Sequence, residues 1–260
     1  MTRTRAIHLV AAAALVGLAS CSKDSTSPSS LINDSQVTAD VANSAGDAIA
    51  TDVATMTGDE ANVALPAPGI NFDLLGAAAD SLVTTWTRTC YDANQAVVAN
   101  CLPVSLVRTI LFHVTVNGTR TGTNLTAAVH RTRDWTLTRL FTGSTETARQ
   151  HDGVGTSYDS TVVTTATVNR TQDVAAIDSA IAVVFTLPRA THPWPVSGTM
   201  VRRATVHATF ARATKQVTKD YTKRVEVDFP PLDTLGNVTL KIDSQTCTLN
   251  LVSHAVTNCH

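Results

Sequence analysis

The chain is predicted to be mainly β: an antiparallel up-and-down curved sheet or barrel with one N-terminal amphipathic helix. Three observations predict it. Threonine and valine recur throughout, often side by side, and β-branched side chains lose rotamers in helices while packing well on pleated surfaces. Beyond Asp80 the apolar pattern has period two almost to the end of the chain, the period of a strand. The stretches that carry it follow one another with no helix between, which argues for antiparallel neighbours. A large sheet must hide its edges, by closing into a barrel or folding over into a sandwich.

The helix is placed at about 36–56. Val37, Val41, Ala45, Ile49 and Val53 recur four apart, with Ala48 and Met56 beside them, a one-sided apolar stripe. Asn33, Asp34 and Ser35 offer capping oxygens, and Thr57-Gly58-Asp59 is expected to stop it. Pro66-Ala67-Pro68-Gly69 then marks a turn-rich connection. The clearest strand runs from Val104 to Val116, apolar at alternate positions except Arg108, and Asn117-Gly118 is expected to turn it back as a hairpin. The return passes Leu125, Ala127 and Val129, and a further stretch carries Trp135, Leu137, Arg139 and Phe141. Gly153-Val154-Gly155 is expected to interrupt the next strand before Tyr158. Ala180–Leu187, Met200–Phe210, Tyr221–Phe229, Val238–Ile242 and Cys247–Leu251 complete the meander.

Ahead of this body the sequence changes character. Arg3 and Arg5 precede a nearly unbroken apolar run from Ala6 to Gly17, the pattern of an export signal and shorter than the roughly 20 residues a spanning helix needs. Leu18-Ala19-Ser20-Cys21 follows. It resembles the lipobox of bacterial lipoproteins, a leucine, two small residues and a cysteine. The resemblance implies diacylglycerol on the Cys21 thiol, cleavage just before it, and acylation of the new amino group, a palmitate-type chain. Two or three chains make a lasting anchor where one binds only reversibly. The expected organisation is a signal peptide at 1–20, a lipidated flexible linker at 21–34 rich in serine, and one β-rich domain at 35–260. Ser22 stands where, by family pattern, an aspartate retains such proteins at an inner membrane, so the cell envelope, with the outer membrane favoured, is the expected place. The whole, a lipobox, a Ser/Thr/Pro leash and threonine-rich strands ending in a cysteine hairpin, resembles threonine-rich β lipoproteins of environmental bacteria, a likeness that brings no function with it.

Composition narrows the function classes. The formal charge is −1 with 16% charged residues and 43% hydrophobic ones, enough for a proper core and without an electrostatic case for nucleic acid. Loss of 1–20 removes Arg3 and Arg5 and makes the remainder two charges more negative. Arg or Lys on both parities of many strands argues against a transmembrane barrel.

Cysteines Cys90, Cys101, Cys247 and Cys259 remain after the anchor. An even number in an oxidising compartment suggests two disulfides, and pairing Cys90 with Cys101 and Cys247 with Cys259 staples two hairpins. The competing reading gathers Cys247, His254, Cys259 and His260 around a metal, without the C-x-x-C clip of structural zinc sites.

Catalytic signatures are missing: no G-x-S-x-G elbow, no phosphate-cradling glycine loop, no H-E-x-x-H and no dinucleotide fingerprint. No enzyme and no cofactor are expected. One polar cluster invites a ligand reading, His130-Arg131-Thr132-Arg133-Asp134-Trp135. Period two puts Arg131, Arg133 and Trp135 on one face, where two guanidiniums beside an indole suit an anion or a sugar. The competing reading makes them solvated positions near a strand end. Arg108 likewise reads either as a charge facing a cavity or as a long stem packed along apolar neighbours. His113 and His207 have no partner at metal-ligand spacing and are expected to be partly exposed or hydrogen-bonded. The expected role is a non-enzymatic binding or structural module at a membrane surface. The alternative is a carrier of lipid or another apolar ligand inside the curved sheet. The oligomeric state is open.

Overall fold

The computed structural model describes residues 34–62, 81, 83–122, 125–164, 169–212 and 215–260. The expected signal peptide, Cys21 and most of the linker lie outside them. Among the described residues a single α-helix, α1 (Asp34–Asn62), precedes ten strands: β1 (Val83–Tyr91), β2 (Thr109–Gly122), β3 (Leu125–Thr142), β4 (Thr145–Thr164), β5 (Asn169–Thr186), β6 (Ser197–Arg212), β7 (Lys215–Asp228), β8 (Asn237–Ile242), β9 (Gln245–Asn250) and β10 (Val256–Thr257). All ten pair antiparallel in sequence order in one sheet, which is curved but unclosed. The mainly β, up-and-down architecture is therefore the one the period-two pattern predicts.

The strands are longer than their sequence punctuation suggested, for a reason that recurs. β2 passes straight through Asn117-Gly118 and stays paired with β3 as far as Gly122 and Leu125. Asn-Gly turns a chain only where the ladder stops. Here Asn117 bonds across to His130 on β3 instead, and Ala127 and Val129 farther along β3 are buried, so continued pairing keeps them covered. Gly118 takes φ 150°, an extended conformation open to glycine. In the same way β4 stays paired with β3 through Gly153-Val154-Gly155, and the expected interruption is confined to a register shift against β5 between His151 and Gly153. A Cβ on Gly153 would sit 2.6 Å from Trp135 Cδ1, and one on Gly155 2.5 Å from Arg133 Cδ. These glycines admit the large side chains of β3 rather than ending a strand. At the other end of the predicted Val104–Val116 strand, Val104–Leu106 is a 3-10 turn and the strand begins at Thr109.

α1 lies against the inner face of the sheet. Its predicted stripe of Val37, Val41, Ala45, Ile49 and Val53 is buried, and burial reaches round to Ala42, Ala48, Ala50, Thr51, Asp52, Thr55 and Met56. Small residues make this possible. Gly46 lies so close to Val256 and Leu249 that a Cβ there would stand 2.6 Å from Val256 Cγ2. Buried Thr51 and Thr55 satisfy their hydroxyls within the helix, Thr51 on Asp47 O at 2.7 Å and Thr55 on Thr51 O at 2.8 Å. The helix outruns its expected stop at Thr57-Gly58 and continues to Asn62, since one interior glycine costs only about 1 kcal/mol.

Facing α1, alternate residues of every long strand except β4 build one continuous core, including Ile110, Phe112, Trp135, Leu137, Val183, Phe185, Met200, Val206, Val225, Val227, Leu240 and Leu249. The outer face is where the threonines gather. Thr85 pairs with Thr115, Thr132 with Thr156 and Thr209 with Thr218 through their hydroxyls, cross-strand pairs that suit a pleated surface.

Both disulfides form as the local pairing expects, Cys90 with Cys101 and Cys247 with Cys259. Both Cys247 and Cys259 thiols are thereby removed from the metal reading. Each disulfide holds a segment against a sheet edge. Val97 pairs with Tyr91, and Val98 N donates to Cys90 O at 2.8 Å, covering one end of β1. At the opposite edge β10 pairs with β9, and His260 and Thr246 exchange backbone hydrogen bonds of 3.0 and 2.9 Å.

Candidate functional site

The inner face carries charge as well as apolar surface. Arg131 and Arg133 share the inward parity of β3 with Val129, Trp135 and Leu137, and all five are buried. On β4 the inward positions include Ser157 and Asp159, on β5 Asp178, and on β6 Arg202, which is only 1% exposed. From α1, Asp47 and Asp52 point at the same place.

These groups form one alternating series. Asp52 receives Arg133 Nε on both oxygens at 3.0 Å. Arg133 Nη2 lies 2.9 Å from Asp178 Oδ2, close enough for charge attraction but not aligned as a hydrogen bond. Its Nη1 donates to Thr132 O, Thr156 O and Ser157 Oγ at 2.8, 3.1 and 3.2 Å. Asp178 accepts Arg202 Nη1 at 2.9 and 3.0 Å and the Ser157 hydroxyl at 2.5 Å. Arg202 Nη2 continues to Asp159 Oδ2 at 3.3 Å. Asp159 takes Arg131 Nε and Nη2 at 3.2 and 3.1 Å. Arg131 Nη2 then reaches Asp47 Oδ2 at 3.4 Å, and Asp47 Oδ1 meets His254 Nδ1 at 2.9 Å. The order is Asp52, Arg133, Asp178, Arg202, Asp159, Arg131, Asp47, His254. Both ends of the carboxylate–guanidinium series rest on α1 and the middle rests on the sheet.

Burial and charge compete at each member. Burial pushes the Asp178 carboxyl up, but Arg202 and Arg133, with the Ser157 hydroxyl, outweigh it and hold it below the ordinary carboxylate range. Burial pushes Asp52 up from 3.8 to about 6, with Arg133 opposing and Asp178 adding. A second, smaller cluster sits near the β3–β4 turn. There burial raises Glu146, while hydrogen bonds from Arg139 and Arg149, both 2.6 Å, outweigh it and lower it.

The structure thus brings Arg131, Arg133 and Trp135 together as period two predicts, but not as a ligand face and not as solvated strand-end positions. Both guanidiniums are occupied by the chain's own carboxylates, and Trp135 belongs to the apolar core. The opposite face of that hexapeptide, with His130 and Asp134, is exposed. Arg108 follows the packed-stem reading, its guanidinium 4.2 Å from the centre of the Phe141 ring and its Nη1 donating to Ser105 O at 2.9 Å. His113 and His207 are exposed and bonded to Asp134 at 2.7 Å and Asp220 at 2.6 Å. The outer face between β1 and β3 holds a shallow recess lined by Thr87, Leu111, His113, Asp134 and Thr136.

Sequence reading missed Asp47, Asp52, Ser157, Asp159, Asp178 and Arg202. A signal was present for two of them. Asp178 shares parity with Val174, Ala176 and Ala180, and Arg202 with Met200, Ala204 and Val206, so each interrupts an apolar row as Arg108 does. The fold and its interior define an open antiparallel sheet wrapped on a helix and joined to it by buried charge. In comparisons with family models, curated proteins and solved structures, nothing matches this chain.

Proposed function

We propose that this protein is a membrane-anchored lipoprotein of the cell envelope whose folded part is a non-enzymatic binding or structural module. The observation that carries the module reading is the occupied interior. The inner side of the sheet is filled by α1 and crossed by paired ions, so the buried polar groups serve cohesion, while the outer face offers threonine rows and the recess beside His113 and Asp134 for contact. The anchor reading is supported by Leu18-Ala19-Ser20-Cys21 and the polar linker behind it.

The alternative, a carrier of lipid or another apolar ligand, would place that ligand where α1 and the charges lie, which favours the module. Cys21→Ser tests the anchor. The variant is expected to leave the membrane fraction for the soluble one, and equal membrane recovery of variant and wild type would refute the lipid tether. Native mass spectrometry of membrane-extracted protein tests the module against the carrier, with unliganded mass expected and a stoichiometric lipid adduct counting for the carrier.

A further inference from the structure

In the buried series one guanidinium, that of Arg133, serves two carboxylates, Asp52 and Asp178. Asp52, Asp178, Asp159 and Asp47 alternate with Arg133, Arg202 and Arg131. Asp178 and Asp159 each lie between two guanidiniums, whereas Asp52 shares its bonded guanidinium with Asp178. The Asp47 end opens toward solvent, that side chain being 20% exposed and meeting His254. The Asp52 end is closed: Asp52 is 5% exposed and its hydrogen-bonding cation is Arg133. An incompletely compensated buried charge is costly, and a carboxylate in that position commonly takes a proton instead.

We propose that the interior ion series is a proton-binding site, with the proton on Asp52, and that its occupancy sets how firmly α1 is held in the sheet. The groups facing Asp52 are Arg133 and Arg131 from β3 and Asp178 from β5. Behind them stand Asp159 from β4 and Arg202 from β6, with Asp47 on α1 itself and His254 from the β9–β10 connection. A proton taken from solvent by an Asp52 oxygen leaves Arg133 to Asp178 and puts a neutral carboxyl between helix and sheet. When the proton leaves, two buried carboxylates, Asp52 and Asp178, face each other across Arg133.

The direction follows from linkage. A carboxyl raised from 3.8 to about 6 in the folded state contributes stability that is fully present below the unfolded value and is lost as pH rises through the folded one. Acidification from pH 8 to pH 5 therefore tightens the docked state.

Equilibrium urea unfolding of the full-length chain in mild detergent, at pH 5 and pH 8, tests this with wild type, Asp52→Asn and His254→Gln. Asn imitates the protonated carboxyl. The wild-type folding constant is expected to gain about tenfold from pH 8 to pH 5 over and above any change in Asp52→Asn, and His254→Gln is expected to keep that gain. Equal pH dependence of wild type and Asp52→Asn would overturn the proposal, and so would loss of the gain in His254→Gln alone. Should Asp52→Asn fail to fold, carbon NMR of the aspartate carboxyls in wild type decides. One carboxyl, assigned to Asp52, is expected to titrate near pH 6, and its titration in the ordinary range would refute the site.

Discussion

At the scale of single residues, the interior is governed by which side chains can be removed without stranding a partner. Arg202 bridges Asp178 and Asp159 from β6. Arg202→Ala leaves both carboxylates short of a cation, and breaking a buried pair by deleting one member costs about 3–5 kcal/mol. A urea midpoint close to wild type would show that the bridge is dispensable. Gly155 poses the opposite problem, because a methyl group there meets the Arg133 stem and Thr132 O. Gly155→Ala is expected to lose about 1–3 kcal/mol by overpacking, while Gly143→Ala is strained only by its φ of 62°, with nothing within 4 Å of the added Cβ. Comparing the two unfolding midpoints separates crowding from backbone strain. Asp178 carries its own pH signature. Its folded carboxyl lies below the ordinary value, so its contribution is present above pH 3.8 and is lost as pH falls through that lowered value. Taken with the Asp52 proton, this puts greatest stability in mildly acidic solution, with decline on both sides.

Among the elements, the open sheet raises the question of its edges, since an unpaired strand invites pairing with another chain. Two disulfides answer it in part. Cys101 draws residues 97 and 98 onto the end of β1, and Cys259 draws the C-terminal segment onto β9. Replacing both Cys247 and Cys259 by serine is expected to cost about 3 kcal/mol, the loop-closure value for so short a link, and to free the β9 edge. Light scattering of the variant should then show self-association beyond that of wild type, and a variant no larger than wild type would count against the edge-guarding role. The pairing was legible in the sequence because the cysteines are close together. The strand ends were not. Asn117-Gly118 and Gly153-Val154-Gly155 carry turn chemistry locally, yet the cross-strand partners that use those glycines, Val129 for one pair and Trp135 and Arg133 for the other, lie on a neighbouring strand.

For the molecule as a whole, the helix is the centre of the core and not a cover laid on a finished sheet. Period two revealed the sheet and period four revealed the helix, so the architecture could be read from the sequence. The depth of the helix could not, because the alanines, threonines and glycine that let strands approach it also suit an exposed helix. The same blindness hid the ion series. Arg131 and Arg133 stood out only because they are neighbours in sequence, while their carboxylates come from three other elements. Since α1 is buried in the core from Val37 to Met56 and holds both ends of the ion series, that part should open only with global unfolding. Native-state hydrogen exchange measures this directly: the slowest amides of α1 are expected to exchange with the same free energy as those of β5 and β6. Exchange in α1 several kcal/mol easier than in the strands would mean that the helix leaves a standing sheet. That result would also revive the carrier reading, because an apolar ligand can enter the inner face only when α1 and its carboxylates have moved aside.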